Sequence, residues 1–236
     1  KVRLLYKEEI RTCGKDAKNI VSLGTAGFVM QLTNSLVSIC CNNVLSATGG
    51  DVYVSVMTII SSVRQMIETP IWSISEGSSP VISYNYGAKR PKKVIEAWIT
   101  MSVLALIYSL IAWSVILFAP KFLIGIFSSD KSLMIDTVPA MKLYFSAFIF
   151  MLFQYTGQTM FKSLNKKKQA IFFSILRKVI IVVPMTYMFP YVFHMGSNGV
   201  FMAEPVSNVI GGSLCFIVML LTVLPELKQM NSDLSS

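Results

Sequence analysis

The stretch GSSPVISYNYGAKRPKKV, from Gly77 to Val94, interrupts a strongly apolar sequence with a polar segment that ends in a basic cluster. Pro80 disfavours a regular helix at this point, and Gly77 and Gly87 permit tight backbone turns. Basic clusters beside apolar segments are typical of cytoplasmic loops. We therefore predict that a helix carrying buried polar groups leaves a membrane here through a bent, anchored turn.

The surrounding sequence consists mainly of long apolar blocks. Apolar residues make up 53% of the chain and charged residues only 14%, about half of the charged content of soluble domains. Six blocks are each long enough to cross about 30 Å of hydrocarbon as an α-helix. The blocks are Ile20–Leu45, Val52–Ser75, Val94–Ala119, Pro139–Leu164, Ala170–Tyr191 and Gly199–Leu224. Barrel strands would alternate in polarity, so the sequence predicts an all-α polytopic membrane protein with six transmembrane helices.

The basic residues are distributed unevenly between the two sides of these blocks. Fifteen of the 21 Lys and Arg residues lie before the first block, after the second and last blocks, or between Lys162, near the end of the fourth block, and Lys168. The positive-inside rule therefore predicts a multi-pass protein of the cell (inner) membrane with both termini in the cytoplasm. The net charge of +9 is mainly this topological signal. Because the charges are spread over several loops, nucleic-acid binding is not indicated.

No motif in the sequence indicates an enzyme. There is no phosphate loop, no GxSxG motif and no HExxH motif. The four cysteines and the single histidine show no metal-ligand spacing. We therefore predict no catalytic residue, no metal ligand and no organic cofactor.

Polar residues three or four positions apart form stripes along the first, second, fourth and sixth blocks. Small and amide residues in these stripes could simply join helices through hydrogen bonds. Carboxylates are harder to explain, because a charge near the bilayer centre needs a partner or a wet cavity. Glu68 lies close to mid-depth, with Arg64 one turn away as a structural partner and Arg177 as a second candidate partner. Glu204 is expected in the outer third of the last block, where water reaches it.

The polar stretch resembles a signature of MATE transporters, the multidrug and toxic compound extrusion family, that follows the second helix of each lobe. The matching residues are Gly77, Pro80, Ile82, Tyr84, Asn85, Gly87, Ala88 and Lys89. Glu76 departs from the family pattern, which often has Gln there. FQYTGQTMFKSLNKKKQA, SILRKVIIVVPMTYMFP and GSNGVFMAEPVSNVIGG resemble the fourth, fifth and sixth helices of the second lobe. The resemblance covers essentially the whole chain.

A MATE transporter has twelve helices in two lobes of six. The resemblance therefore implies that this chain is the second lobe. It implies a cytoplasmic inter-lobe linker at residues 1–19, a six-helix transmembrane lobe at 20–225 and a cytoplasmic tail at 226–236. We expect a fragment of a longer protein, completed by the N-terminal lobe of the same transporter. A natural half-size protein that pairs with a second copy is the alternative.

The resemblance also implies a function, namely multidrug efflux by antiport against H⁺ or Na⁺, with organic cations as substrates. The candidate substrate- and ion-binding residues are Gln31, Asn34, Glu68, Gln154, Tyr155 and Gln158. Arg64 and Arg177 are the candidate charge partners, and the coupling carboxylate could instead lie in the other lobe. Two further interpretations remain open: a lipid-linked oligosaccharide flippase of the same superfamily, which a large basic cavity would favour, and a non-transporting membrane scaffold subunit.

Overall fold

A computed structural model describes the backbone of residues 14–233 and the side chains of Phe28 and residues 31–232. Within those bounds the chain contains helices and no strand, which confirms the all-α prediction. The helices are α1 (Gly14–Gly87), α2 (Pro91–Phe118), α3 (Pro120–Phe127), α4 (Lys131–Tyr144), α5 (Phe150–Ser163), α6 (Lys167–Ile175), α7 (Val183–Tyr191), α8 (Ser197–Ser207) and α9 (Ser213–Asp233). Two π-helical turns, π1 (Leu176–Val182) and π2 (Asn208–Gly212), join α6 to α7 and α8 to α9.

Four helical runs in the described part of the chain are long and apolar enough to cross a membrane. They are Gln31–Gly87, Pro91–Phe118, Lys167–Tyr191 and Ser197–Ser232. The first run contains the second predicted span and residues 31–45 of the first, and the others correspond to the third, fifth and sixth. The linker predicted at 1–19 lies mostly outside the described residues, as do the last three residues of the predicted tail.

The two predicted spans inside α1 meet at Gly50. Its backbone, with φ of 72° and ψ of −170°, is the non-helical point in this 74-residue element. Such a positive φ is one that glycine adopts without steric cost. A side chain at the neighbouring Gly49 would collide with Ser197 and Tyr53. The hairpin therefore packs closely against the start of α8, where Thr48 Oγ1 lies 3.4 Å from Ser197 Oγ.

The end of α1 differs from the prediction made at Pro80. Helical structure continues through Pro70 and Pro80 to Gly87, so the predicted helix end at Pro80 is wrong. The hydroxyl of Ser79 bonds to that of Ser163 at 2.8 Å, and Ser83 donates to the Ser163 carbonyl at 3.0 Å. Neighbouring helices commonly hold proline-containing transmembrane helices in this way. The left-handed residue of the following turn is Lys89, with φ of 54°, rather than a glycine.

The fourth predicted span, Pro139–Leu164, is not one continuous helix. The helix ends at Tyr144, and residues 145–149 form tight turns before α5 begins at Phe150. Here backbone N–H groups bond three residues back, as in Phe148 to Phe145 at 3.1 Å. The Phe145 carbonyl also accepts the indole N–H of Trp113 on α2 at 2.9 Å. This side-chain donor helps to satisfy backbone that has left the regular helical ladder.

Helix α2 packs against the lobe along one narrow face. The buried residues of that face are Pro91, Val94, Trp98, Met101, Ala105, Ser109, Ala112 and Ile116. Large apolar side chains on the opposite side, including Ile99, Val103 and Ile111, are exposed. A helix with apolar residues all round is suited to lipid on its outer face. The connection that follows α2 contains the short helix α3, and Asp130 caps α4. Hydrogen bonds from the hydroxyl and N–H of Ser132 lower the pKa of the Asp130 carboxyl.

Replacing Trp113 with Phe removes the hydrogen bond to the Phe145 carbonyl and retains an aromatic ring. We expect this change to lower the free energy of unfolding by about 1 kcal/mol, the usual net contribution of such a bond. Trp98→Phe is the matched control, because the Trp98 indole nitrogen is buried without a hydrogen-bond partner. Thermal unfolding of both variants in detergent measures the difference. Equal stability loss in the two variants would contradict a role for the Trp113 bond.

Candidate functional site

The polar stripes of α1 and α5 line a single cavity together with π1 and α8. The cavity has a volume of about 570 Å³, within the range of small-molecule pockets. The eight candidate residues from the sequence all line it: Gln31, Asn34, Arg64, Glu68, Gln154, Tyr155, Gln158 and Arg177. The structure therefore brings them to one place, while their binding roles stay predictions.

Glu204 on α8 is the most heavily paired group in the cavity. Its Oε1 lies 3.3 Å from Arg64 Nη2, 3.1 Å from Arg177 Nη1 and 3.3 Å from Lys178 Nζ. The residue is only 4% exposed. One carboxylate therefore links the second half of α1, the π1 turn and α8.

This burial of Glu204 differs from the prediction that water reaches it. Counting along α8 gives only the depth of Glu204 within its own helix. The structure adds three cationic side chains from two other elements, and they cover the carboxylate. The expectation of a water-exposed Glu204 is therefore wrong for the lobe as described.

Glu68 pairs with Arg64, one helical turn before it, through the Arg64 Nε atom. Its second oxygen accepts the Tyr155 hydroxyl from α5 at 3.2 Å. Arg64 donates in addition to the Tyr144 hydroxyl at 2.7 Å. Arg64 is thus the partner of Glu68, and Arg177, the other candidate, pairs with Glu204 instead. Arg64 contacts both carboxylates of this cluster.

The π-helical turns position the basic side chains. Arg177 and Lys178 are neighbours in π1, and both are buried. Arg177 Nη1 also donates to Asn208 Oδ1, the first residue of π2, at 2.5 Å. A Cβ at Gly211 in π2 would lie 2.8 Å from Arg177 Cγ. The wide turns and the missing side chain of Gly211 together make room for Arg177; such π turns occur frequently at functional sites.

The predicted amide ligands lie in different surroundings. Gln31 and Asn34 are exposed, so they lie on the open side of the cavity. Gln154 and Gln158 are buried in α5, where they donate to the carbonyls of Phe173 at 3.5 Å and Ala170 at 3.2 Å. The side-chain oxygen of Gln154 is buried without a hydrogen-bond partner.

Two parts of the site were missed by reasoning from the sequence. Lys178 was not among the candidates, although an Arg–Lys pair inside the apolar run SILRKVIIVVPM was a visible signal. The ion pair between Lys162 Nζ and Glu76 Oε1, at 2.7 Å, was not predicted either. It joins α5 to the C-terminal half of α1, and both residues line the cavity.

The cavity lining carries charges of both signs in nearly equal number. The basic side chains are Arg64, Lys162, Arg177 and Lys178, and the acidic ones are Glu68, Glu76 and Glu204. Among the residues that the structure describes, no group of three or more His, Cys, Asp or Glu could hold a metal ion.

Comparisons with known proteins agree on one family and one fold. The sequence profile of the MatE family matches residues 27–188. A crystal structure of MATE in the bent conformation is similar with a TM-score of 0.82 and 18% identity, over 94% of this chain and 48% of that one. An inward-facing multidrug resistance MATE family transporter of the MOP superfamily gives a TM-score of 0.79 and 19% identity, over 93% and 50% of the two chains.

A third solved structure is a MOP superfamily transporter from Pyrococcus furiosus, described as having a binding pocket of reverse polarity that suggests a different function. It gives a TM-score of 0.81 and 19% identity, over 92% of this chain and 48% of that one. No curated protein matches the chain in sequence. The chain thus spans about half the length of the solved structures it matches, which is consistent with one lobe.

Replacing Glu204 with Gln leaves Arg64, Arg177 and Lys178 without their shared carboxylate. We expect the free energy of unfolding to fall by about 3–5 kcal/mol, as when one partner of a buried ion pair is removed. Glu96→Gln is the control, because Glu96 forms an exposed pair with Lys93 at 3.1 Å. Thermal unfolding in detergent should show a large loss for Glu204→Gln and none for Glu96→Gln. Similar stability of the two variants would show that Glu204 does not hold the lobe together.

Proposed function

The chain belongs to the MatE family, and from this premise we propose that it forms one lobe of a multidrug efflux transporter driven by cation antiport. The observation that carries the proposal is the 570 Å³ cavity, lined by charged and polar side chains on membrane-length helices. Structures similar to this chain are described as a multidrug resistance MATE family transporter in inward- and outward-facing conformations. Such a pair of states supports alternating access as the transport cycle.

The other lobe of the transporter would cover the open side of the cavity. Gln31, Asn34 and Ser38 line this side and are exposed in the lobe by itself. Polar groups within a membrane-length helix are costly against lipid, so they favour a protein partner or a water-filled path. In our proposal the substrate path runs between the two lobes, within a cell membrane and with both termini cytoplasmic.

The coupling ion, H⁺ or Na⁺, would act at a carboxylate of the cavity. Glu204 is enclosed by three cations, whereas Glu68 has one cation and one tyrosine hydroxyl as partners. Ion binding at Glu68 would therefore compete with Arg64 alone. Arg64 also contacts Glu204 and Tyr144, so its release would alter contacts between α1, α4 and α8. An ion can shift the two states only through different affinity for each of them, and this rearrangement supplies a means.

The alternatives receive less support from the cavity. A lipid-linked oligosaccharide flippase would favour a large basic cavity, but four basic side chains here face three acidic ones. A scaffold subunit has no need of a cavity of this size. Because its charges nearly balance, the cavity of this lobe does not by itself favour the organic cations expected as substrates.

The first experiment is ethidium efflux from energised cells that express the full-length protein, beside cells that express this chain alone. Efflux from the full-length protein that stops when the proton gradient or the sodium gradient is collapsed would support antiport and identify the ion. Efflux from this chain alone would favour a pair of identical lobes. Normal expression without efflux in either case would contradict the proposal.

Glu68→Gln in the full-length protein tests the coupling role. We expect ion-driven ethidium efflux to fall by about tenfold or more, in the range of typical coupling energies. Glu96→Gln is again the control, since Glu96 is exposed and lies outside the cavity. Unchanged efflux and unchanged ethidium affinity in Glu68→Gln would reassign Glu68 to a structural pair with Arg64.

A further inference from the structure

We infer that the deep end of the cavity, at Lys178 and Arg177, binds the anionic group of a small aromatic substrate. The inference rests on the proposed function, because it names a substrate class for the same cavity. It replaces, for this lobe, the expectation that substrates are recognised only as organic cations.

The charges around Glu204 do not balance. Three cations, Arg64, Arg177 and Lys178, face two carboxylates, Glu68 and Glu204. The remaining charged pair of the cavity, Lys162 with Glu76, is balanced within itself. One positive charge of the cluster therefore has no counterion among the described residues. A buried lysine carries its charge at a cost when it has no counterion, so a bound anion would stabilise the protonated ammonium of Lys178.

Lys178 is the cation with the fewest partners. Arg64 also bonds to Glu68 and Tyr144, and Arg177 also bonds to Asn208. The contact that the structure shows for Lys178 is with Glu204 at 3.3 Å, an oxygen that both arginines share. An ammonium has three donors. Lys178 lines the cavity, and with a single carboxylate contact it is the cation best able to accept an anion as a further partner.

The depth of the cluster indicates a molecule that enters the cavity rather than a lipid headgroup. Lys178 lies 11 residues from Lys167 and 13 from Tyr191, the ends of its helical run, which is about 16 to 20 Å of helix on either side. Headgroup phosphates remain outside about 30 Å of hydrocarbon. The anion must therefore be carried by a substrate.

The other side chains of the cavity fit an aromatic body. Trp72, Tyr155 and Met57 supply aromatic and apolar surface. The substrate class is therefore a small aromatic carboxylate, sulfonate or phosphate.

The test uses two probes of the same shape, 4-hydroxybenzoate and its uncharged analogue 4-hydroxybenzamide, titrated calorimetrically into the purified full-length protein. We expect the carboxylate to bind at least about tenfold more tightly than the amide. Lys178→Met should remove this preference and leave the affinity for the amide unchanged. Lys178→Arg should preserve the preference, because it keeps the positive charge. Lys121→Met, at an exposed lysine outside the cavity, is the control and should behave as the unmodified protein.

Folding of the variants does not obscure the result. Lys178→Met removes the unbalanced charge, so we expect its thermal unfolding temperature to equal or exceed that of the unmodified protein.

Equal affinity for the two probes, no binding of either, or an unchanged preference in Lys178→Met would overturn the inference. Ethidium efflux measured on the same protein separates the two proposals. Efflux without carboxylate preference removes only the anion site, and carboxylate preference without efflux removes only the efflux function.

Discussion

The ion pairs of Glu204 are the constraint on which the arrangement of the lobe depends. A carboxylate that is 4% exposed in a membrane protein must have partners, and here three cations from two other elements supply them. Because the partners lie on α1 and π1, satisfying one charge fixes three helical segments relative to one another. The cavity forms beside this junction, so its deepest wall is also the most strongly paired part of the lobe.

Departures from regular helix accompany this junction. The π1 turn places Arg177 and Lys178 next to each other, and the π2 turn begins at Asn208, which accepts from Arg177. The tight turns at residues 145–149 follow Tyr144, whose hydroxyl accepts from Arg64. Irregular backbone at membrane depth is tolerated where protein or a cavity surrounds it. The irregular segments of this lobe therefore lie where charged and polar side chains converge.

The same cluster connects the transport proposal with the substrate inference. Arg64 contacts both carboxylates, so a change at either one alters the contacts of the other. An anion at Lys178 would pair with the positive charge that Glu204 leaves without a counterion. Ion binding at Glu68 and substrate binding at Lys178 would then act on one shared set of ion pairs. Sites linked through shared partners influence each other's affinity reciprocally.

The sequence by itself determined the all-α class through its membrane-length apolar blocks, and it indicated eight residues that line the cavity. The resemblance of the polar stretch after Gly77 indicated the family. These signals depend only on local order along the chain. The sequence did not determine that helix continues through Pro80, that the span from Pro139 is broken after Tyr144, or that Lys178 belongs to the site. It also failed for Glu204, whose depth along its own helix indicated water. Only the tertiary structure decided these points, because the side chains responsible come from segments distant in sequence. Ser163 bonds to the helix near Pro80, and Trp113 bonds to the broken segment at Phe145. Arg64 and Arg177 pair with Glu204. Pairing between distant segments leaves no trace in the periodicity of either one.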